Sequence, residues 1–461
     1  MRIVFTLFLI WATCQSVFSQ NDTLPIVKIY GQFGYDYQPA TLVIEGDTLQ
    51  CRIKWRGGTT NGADKHKRNY KIELSEDRSY FGLRSDNHWL LDAGQADVFR
   101  LRNLIANEIW GSFVASPYYS DRKPKARSSI SGRVVEVYLN DQYEGIYALT
   151  ENMDRKQMQI RKTDPSDGHI RGCLWKSVGY GTSMMTALPP AYDNSLETWD
   201  VFEAKYPEPG DDADTTDYRP LYEAIKFVAR SSNQDFCDHV EEYFDLPVVI
   251  DYYLFIYVLN AVDNIGKNVF WAIFDKSSGD KRLTPAIWDC DATAGQRWVA
   301  KYQETMASPY YFKSTTMYLL NRLMWLNAAD FNRKAILRYW QLRKTVLSTD
   351  SLCSRYRHYN NLLQRTGAAQ REQERWSGDS DVDGSEIDFN AETDYICDWL
   401  QKHLDFLDTK LPETIAAGIT PSIAATQPAS NFVYTLSGQR TDYNRLSRGI
   451  YIVNGKKYIR K

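Results

Sequence analysis

Two neighbouring stretches decide how this chain is read: AVDNIGKNVFWAIFD (residues 261–275) and LTPAIWDCDATAG (residues 283–295). Each carries an aromatic, apolar run of strand length, and the polar KSSGDKR between them (276–282) reads as a turn. The pair is therefore a hairpin, with Asp263 and Asn268 before its first strand and Asp289 and Asp291 at the end of its second. Side chains alternate along a strand, so Asp289 and Asp291 should share one side. The antiparallel return should bring them beside the loop that holds Asp263. Three carboxylates and an amide oxygen would then converge. Crowded carboxylates repel, and a hard divalent cation such as Mg²⁺ or Mn²⁺ removes that cost with an all-oxygen ligand set. The plainer alternatives are that Asp263 and Asn264 end the preceding helix and that WDCD is a solvated strand end.

Upstream, LPVVIDYYLFIYVLNAV (246–262) reads as a buried helix with Pro247 in its first turn. Residues 26–150 read mostly as strand. In LQCRIKWR, Leu49, Cys51, Ile53 and Trp55 alternate with polar residues, and Tyr70, Ile72 and Leu74 do the same in NYKIEL. Between these two lies the glycine-rich GGTTNGADKHK. ADVFRLRNLIANEIWGSF has helical spacing, with Asp97 as candidate N-cap and Val98, Leu101, Ile105 and Ile109 as its apolar stripe. RVVEVYLN and EGIYALTEN follow as two more strands. The expectation is an antiparallel sheet of about five strands with one helix inserted. Past residue 215, helical patterns dominate.

The predicted organisation is a signal peptide (1–19), a β-rich lobe (20–154), a mainly helical lobe carrying the hairpin (155–411), a linker (412–432) and a short β tail (433–461). The first segment has Arg2, an apolar run from Ile3 to Ala12 and a small-residue cut after Ser19, the pattern of an exported protein. Its apolar run is too short to span a bilayer, and no later run is long and apolar enough to do so. A lipid-anchor reading at Cys14 fits poorly beside Trp11 and Thr13. A net charge of −3 over 461 residues speaks against nucleic acid as partner. The six cysteines after Cys14 show no metal-ligand spacing, and buried free thiols are expected for most.

The order helix, Asp263, Asn268, hairpin, Asp289 and Asp291 matches the parts that protein-kinase-type phosphoryl transfer requires. A base accepts the acceptor hydroxyl's proton, an Asn five positions on helps hold a metal, and a further Asp binds Mg²⁺ across the phosphates. WRGGTT, NYKIEL, VEVYLNDQYEGIYALTENMD, GCLWKS, VDNIGKN and PAIWDCDATAG together resemble the successive motifs of the CotH kinase family, over roughly residues 45–410. The resemblance implies an α+β, divergent protein-kinase-like fold of two lobes, and transfer of phosphate from ATP to Ser/Thr of an exported protein substrate. It makes Asp263 the catalytic base. Asn268 and one or both of Asp289 and Asp291 become metal ligands, a choice that spacing leaves open. Arg56 and Gly57 would cover the nucleotide's phosphates, Lys71 would pair with them, and Glu151 would mark the hinge between lobes. Glu108 is a weak candidate partner for Lys71. The tail resembles the C-terminal β segments of exported Bacteroidetes proteins.

The chain departs from ordinary kinases in three places. RGGTTNG is not G-x-G-x-x-G, NAV stands where His-Arg would precede the base, and Gly295 does not reproduce D-F-G. A separate acidic run, DSDVDGSEIDFN, begins like a calcium loop with Asp379, Asp381, Asp383 and Gly384, but has Asn390 where a bidentate Glu belongs. Two competing functions stand beside the kinase. One is a catalytically silent surface- or matrix-binding protein on the same fold. The other is a metal-dependent hydrolase, for which no His or Ser nucleophile motif is present.

Overall fold

Alternation of apolar and polar residues builds the first layer. In the computed structural model, which describes residues 23–297 except 165 and 211, residues 317–412 and the strands within 433–460, seven strands enclose the apolar face. They are β1 (Ile26–Gly31), β2 (Gln38–Ile44), β3 (Asp47–Arg56), β4 (Asn69–Arg78), β5 (Asp86–Asp92), β6 (Gly132–Leu139) and β7 (Gln142–Thr150). Their order β1-β2-β3-β4-β5-β7-β6 closes on itself, because β1 also pairs in parallel with β6, Val27 facing Val137. The expected sheet of about five strands is thus a closed seven-stranded barrel. Closure leaves no unpaired edge. Cys51, Ile53, Tyr70, Ile72 and Leu74 fill its interior with Trp89 and Tyr147, as their alternation predicted.

Helix α1 (Arg102–Phe113) leaves the barrel after β5. It begins later than expected, and Asp97 is not its N-cap. Asp97 instead receives the Phe99 and Arg102 amides at 2.9 and 2.8 Å and pairs with the buried Arg102 guanidinium at 2.6 Å. Arg102 also reaches Glu392, so this buried pair fastens the helix start to a distant helix.

The hairpin does not stand alone. β8 (Cys173–Ser177), β9 (Thr198–Trp199), β10 (Phe202–Tyr206), β11 (Val269–Ile273) and β12 (Thr284–Ile287) form a second sheet in the order β12-β11-β8-β10-β9. After the short α2 (Arg155–Met158), the helices α3 (Arg219–Arg230), α4 (Asn233–Tyr243) and α5 (Leu246–Leu259) precede the hairpin. Following it come α6 (Tyr318–Leu326), α7 (Phe331–Arg343), α8 (Thr349–Arg365), α9 (Ala368–Trp376) and α10 (Phe389–Lys410). α5 is buried almost all round, as its composition requires, with Pro247 in its first turn. Among the described residues no helix is long and apolar enough to cross a membrane.

Five of the six described cysteines are buried free thiols, and Cys237 is a half-buried one. Residues 1–412 make one compact unit and 413–461 a second. The second contributes a four-stranded sheet, one strand or more beyond the two or three expected. The signal-peptide segment 1–19, and all of the linker but Pro412, lie outside the described residues.

Candidate active site

The hairpin's base is tied back on itself. α5 ends at Asn260, whose φ of 47° is the left-handed cap conformation that Asn tolerates. A single turn (Val262–Asn264) carries Asp263, and Asn268, also left-handed at φ 53°, opens β11. From the other strand, the Trp288 amide donates to the Asn268 carbonyl at 3.0 Å, and Asn264 Nδ2 donates to the Trp288 carbonyl at 2.7 Å. Val269 faces Ile287 across the ladder. The antiparallel return therefore does bring Asp289 and Asp291 back to the Asp263 loop.

The reason they share a side differs from strand alternation. β12 ends at Ile287, and Asp289 turns into the left-handed region at φ 54°. The Cys290 amide then donates to Asn103 Oδ1 of α1 at 2.9 Å, with Cys290 fully buried. A bend anchored by α1, not a continuing strand, presents the two carboxylates.

Asp263 is held from three directions. Asn268 Nδ2 donates to its Oδ2 at 2.9 Å, Tyr180 Oη to its Oδ1 at 2.9 Å, and Lys267 Nζ lies 3.0 and 2.8 Å from the two oxygens. Both carboxylate oxygens are thus oriented, which preorganises the group for proton transfer.

A cavity of about 240 Å³ opens at this point. Asp263, Asp289 and Asp291 line it together with Asp92 from the end of β5, while Arg56, Lys176 and Lys267 supply cations. Arg56 and Lys176 both lie near the Trp288 ring, at 5.4 and 5.7 Å from its centre. Burial, then the charges of Asp289 and Asp92, push Asp291 well above the usual carboxylate range. Asp289 is open to the cavity by surface area, yet the walls crowd it closely. Burial raises it, Lys176 opposes, and Asp92 raises it further. Burial likewise pulls Arg56 and Lys176 down, with Asp289 opposing in both. Carboxylates that raise one another, facing cations that are pulled down, fit a bound divalent cation and a polyphosphate: each would supply the charge the opposing group lacks.

The remaining sequence candidates fall in different places. Gly57 lines the cavity beside Arg56, as expected. Its φ of 106° and the 2.1 Å that would separate a Cβ from Thr60 Oγ1 admit only glycine. Lys71 does not line the cavity. Its side chain leaves the barrel on the outer face, near Glu208, Lys54 and Lys205, because it alternates with the inward Tyr70 and Ile72. Lys176, from β8, lines the cavity. Glu151 is also outside the cavity. It is a buried brace, receiving the Arg84 and Ser131 amides at 3.0 and 2.9 Å and Gln157 Nε2 at 3.0 Å. Glu108 receives Tyr359 Oη and does not pair with Lys71.

The DSDVDG run folds as a short capped turn. Asp379 caps a short turn by accepting the Asp381 amide at 2.8 Å, and Asp381 Oδ2 accepts the His66 and Lys67 amides at 2.9 and 2.8 Å. The acidic run thus pins down the far end of the glycine-rich loop that covers the cavity. Immediately after it, Lys67 is fully buried with Glu372 at 2.8 Å, and Glu372 also receives Arg100 Nε at 2.7 Å. Gly145 makes room for that cluster, since a Cβ there would lie 2.4 Å from Glu372.

Sequence reading missed Asp92, Asn103 and Lys176, and passed over Lys267 and Tyr180. Two of these had a signal. Lys176 is the lone charge in the apolar strand CLWKS, and Asp92 ends the apolar WLLD. Asn103 had none, because its role depends on packing of α1 against the hairpin's end.

A charged cleft in which an oriented carboxylate, further carboxylates and cations meet marks a mixed α+β protein with an enzyme-like site. The chain belongs to the CotH kinase family: the family described as CotH kinase protein matches residues 53–407. That membership makes it kinase-like, and the match runs from within β3 through the rest of the barrel and the hairpin into α10. No curated protein matches the chain.

Proposed function

We propose that the protein is an atypical protein kinase that transfers the γ-phosphate of ATP to Ser or Thr of exported proteins, with Mg²⁺ or Mn²⁺ as cofactor. The observation that carries this reading is Asp263, oriented by Asn268, Tyr180 and Lys267, in one cavity with Asp289, Asp291, Arg56 and Lys176. The reading includes a kinase-like division into a barrel lobe and a helical lobe, with the cavity between them.

In this reading Asp263 Oδ1 or Oδ2 accepts the acceptor hydroxyl's proton as the oxygen attacks. Tyr180 and Lys267 hold the carboxylate in place. Asp289, Asp291 and the Asn268 side chain would hold the divalent ion, which when bound would supply neutralising charge for the phosphates. Arg56, Lys176 and the backbone amides at Gly57 and Gly58 bind the phosphate oxygens. The glycine-rich loop lining the cavity would help to keep water out, favouring the hydroxyl over hydrolysis. Export follows from the signal-like residues 1–19, and the β tail fits a role in sorting.

Transfer of label from ATP, measured with Mg²⁺ or Mn²⁺ for the wild type and Asp263→Ala, tests the proposal. Label that depends on Asp263 supports it. Equal label in both, or none in either with metal and candidate exported proteins supplied, leaves the silent binding protein as the better account.

A further inference from the structure

A second and larger pocket, about 650 Å³, lies at the opposite end of the hairpin and is basic. Six cations line it, Lys123, Arg155, Lys156, Arg161, Lys162 and Arg171, against one carboxylate, Asp164. Two basic segments create it, DRKPKAR (121–127) and RKQMQIRK (155–162). They are bound side by side: the Arg127 amide donates to the Gln157 carbonyl at 3.0 Å, and Tyr119 Oη to the Met158 carbonyl at 2.8 Å. The third wall joins the hairpin, for the Arg161 amide donates to the Phe274 carbonyl at 3.0 Å and the Lys276 amide to the Arg171 carbonyl at 2.8 Å.

Three of the cations have carboxylate partners outside the pocket lining: Lys156 with Asp77 and Asp86, Arg161 with Asp275, and Arg171 with Asp167. Lys123, Arg155 and Lys162 form no ion pair among the described residues. Arg155 is steadied by the Tyr206 ring, 5.6 Å from its guanidinium. Uncompensated positive charge gathered around a concave space repels itself, and a multivalent anion relieves that. Arginines held in place also suit bidentate recognition of carboxylate or phosphate.

We infer that this pocket binds an anionic segment of a polypeptide, through Glu/Asp or phosphoserine side chains. The choice of a polypeptide rests on the kinase reading above and on distance. Phe274 lies six residues beyond Asn268, across the five residues of β11, roughly 20 Å at strand rise. β11 itself is buried between β12 and β8, so an acceptor chain would cross the surface over a comparable distance, with its anionic residue about six positions from the hydroxyl at Asp263.

The test is fluorescence anisotropy on the full chain with three labelled peptides of one sequence, carrying Glu, phosphoserine or Gln at the anionic positions. The Glu or phosphoserine form, or both, should bind, the Gln form should not, and their ranking identifies the preferred anion. Lys123→Glu with Lys162→Glu, and separately Arg155→Gln, should weaken binding about tenfold or more. Binding that survives charge reversal, equal binding of the Gln peptide, or binding only to anionic phospholipid vesicles would overturn the inference. Failure of the kinase reading shows elsewhere, as absent label transfer with peptide binding intact.

Discussion

The side-chain amide of Asn268 donates to Oδ2 of Asp263 at 2.9 Å, joining the two ends of the turn that feeds the hairpin. The contact couples a candidate metal ligand to the candidate base, so neither can shift without the other.

Asp263→Asn keeps the shape of the site and removes the proton acceptor. Phosphate transfer should fall at least 100-fold, the usual scale for a lost general base. The melting temperature should move little, since Lys267 is part-exposed and can turn to water. Paired rate and thermal-melt measurements check this. A large drop in melting temperature would assign Asp263 a structural role.

Lys176 and Lys71 make opposite predictions. Lys176 faces the cavity and Lys71 faces away from it. Lys176→Met should weaken nucleotide binding about tenfold or more, while Lys71→Met should leave it within about twofold. Calorimetric titration of each variant with an ATP analogue and Mg²⁺ decides between the two lysines.

Glu372 carries the fully buried pair with Lys67 and also meets Arg100 and the Ile146 amide. Burial pulls Lys67 down to about 8, and the same two cations hold the Glu372 carboxyl below its ordinary value despite burial. Glu372→Gln leaves two buried cations without their counter-charge and should cost about 3–5 kcal/mol. Denaturant unfolding measures it, and a cost under about 1 kcal/mol would show that the cations find other partners.

The loop that covers the cavity should respond to pH through His66. Its hydrogen bond to Asp379, 2.8 Å from Nδ1, raises the His66 pKa above 6.5. A histidine raised in the folded state stabilises below its unfolded pKa, and that contribution fades as pH rises through the folded value. Amide-exchange protection factors of residues 57–68, corrected for the intrinsic rate at each pH, should therefore fall from about pH 6 to pH 8. Asp379→Asn should abolish the change with pH, because its side-chain oxygen can still accept the Asp381 amide but no longer attracts the imidazolium. A pH dependence unchanged in that variant would place its origin elsewhere.

What the sequence determined by itself was local. Alternation in LQCRIKWR and NYKIEL set which side chains entered the barrel, and the apolar run with Pro247 set a buried helix. The residues around the hairpin placed Asp263, Asn268, Asp289 and Asp291 together, because a two-strand ribbon brings its own ends close. Tertiary structure alone decided the rest. Barrel closure depends on a parallel pairing between β1 and β6, more than a hundred residues apart, and no short pattern encodes such a partner. Lys176 rather than Lys71 reached the cavity because a second sheet packed there, while Lys71 had to point outward once its neighbours pointed in. The bend that aims Asp289 and Asp291 is fastened by Asn103 of α1, and the glycine loop by an acidic turn some 300 residues later in the chain. Spacing along a chain reports which groups can meet within an element, whereas long-range packing determines which of them do.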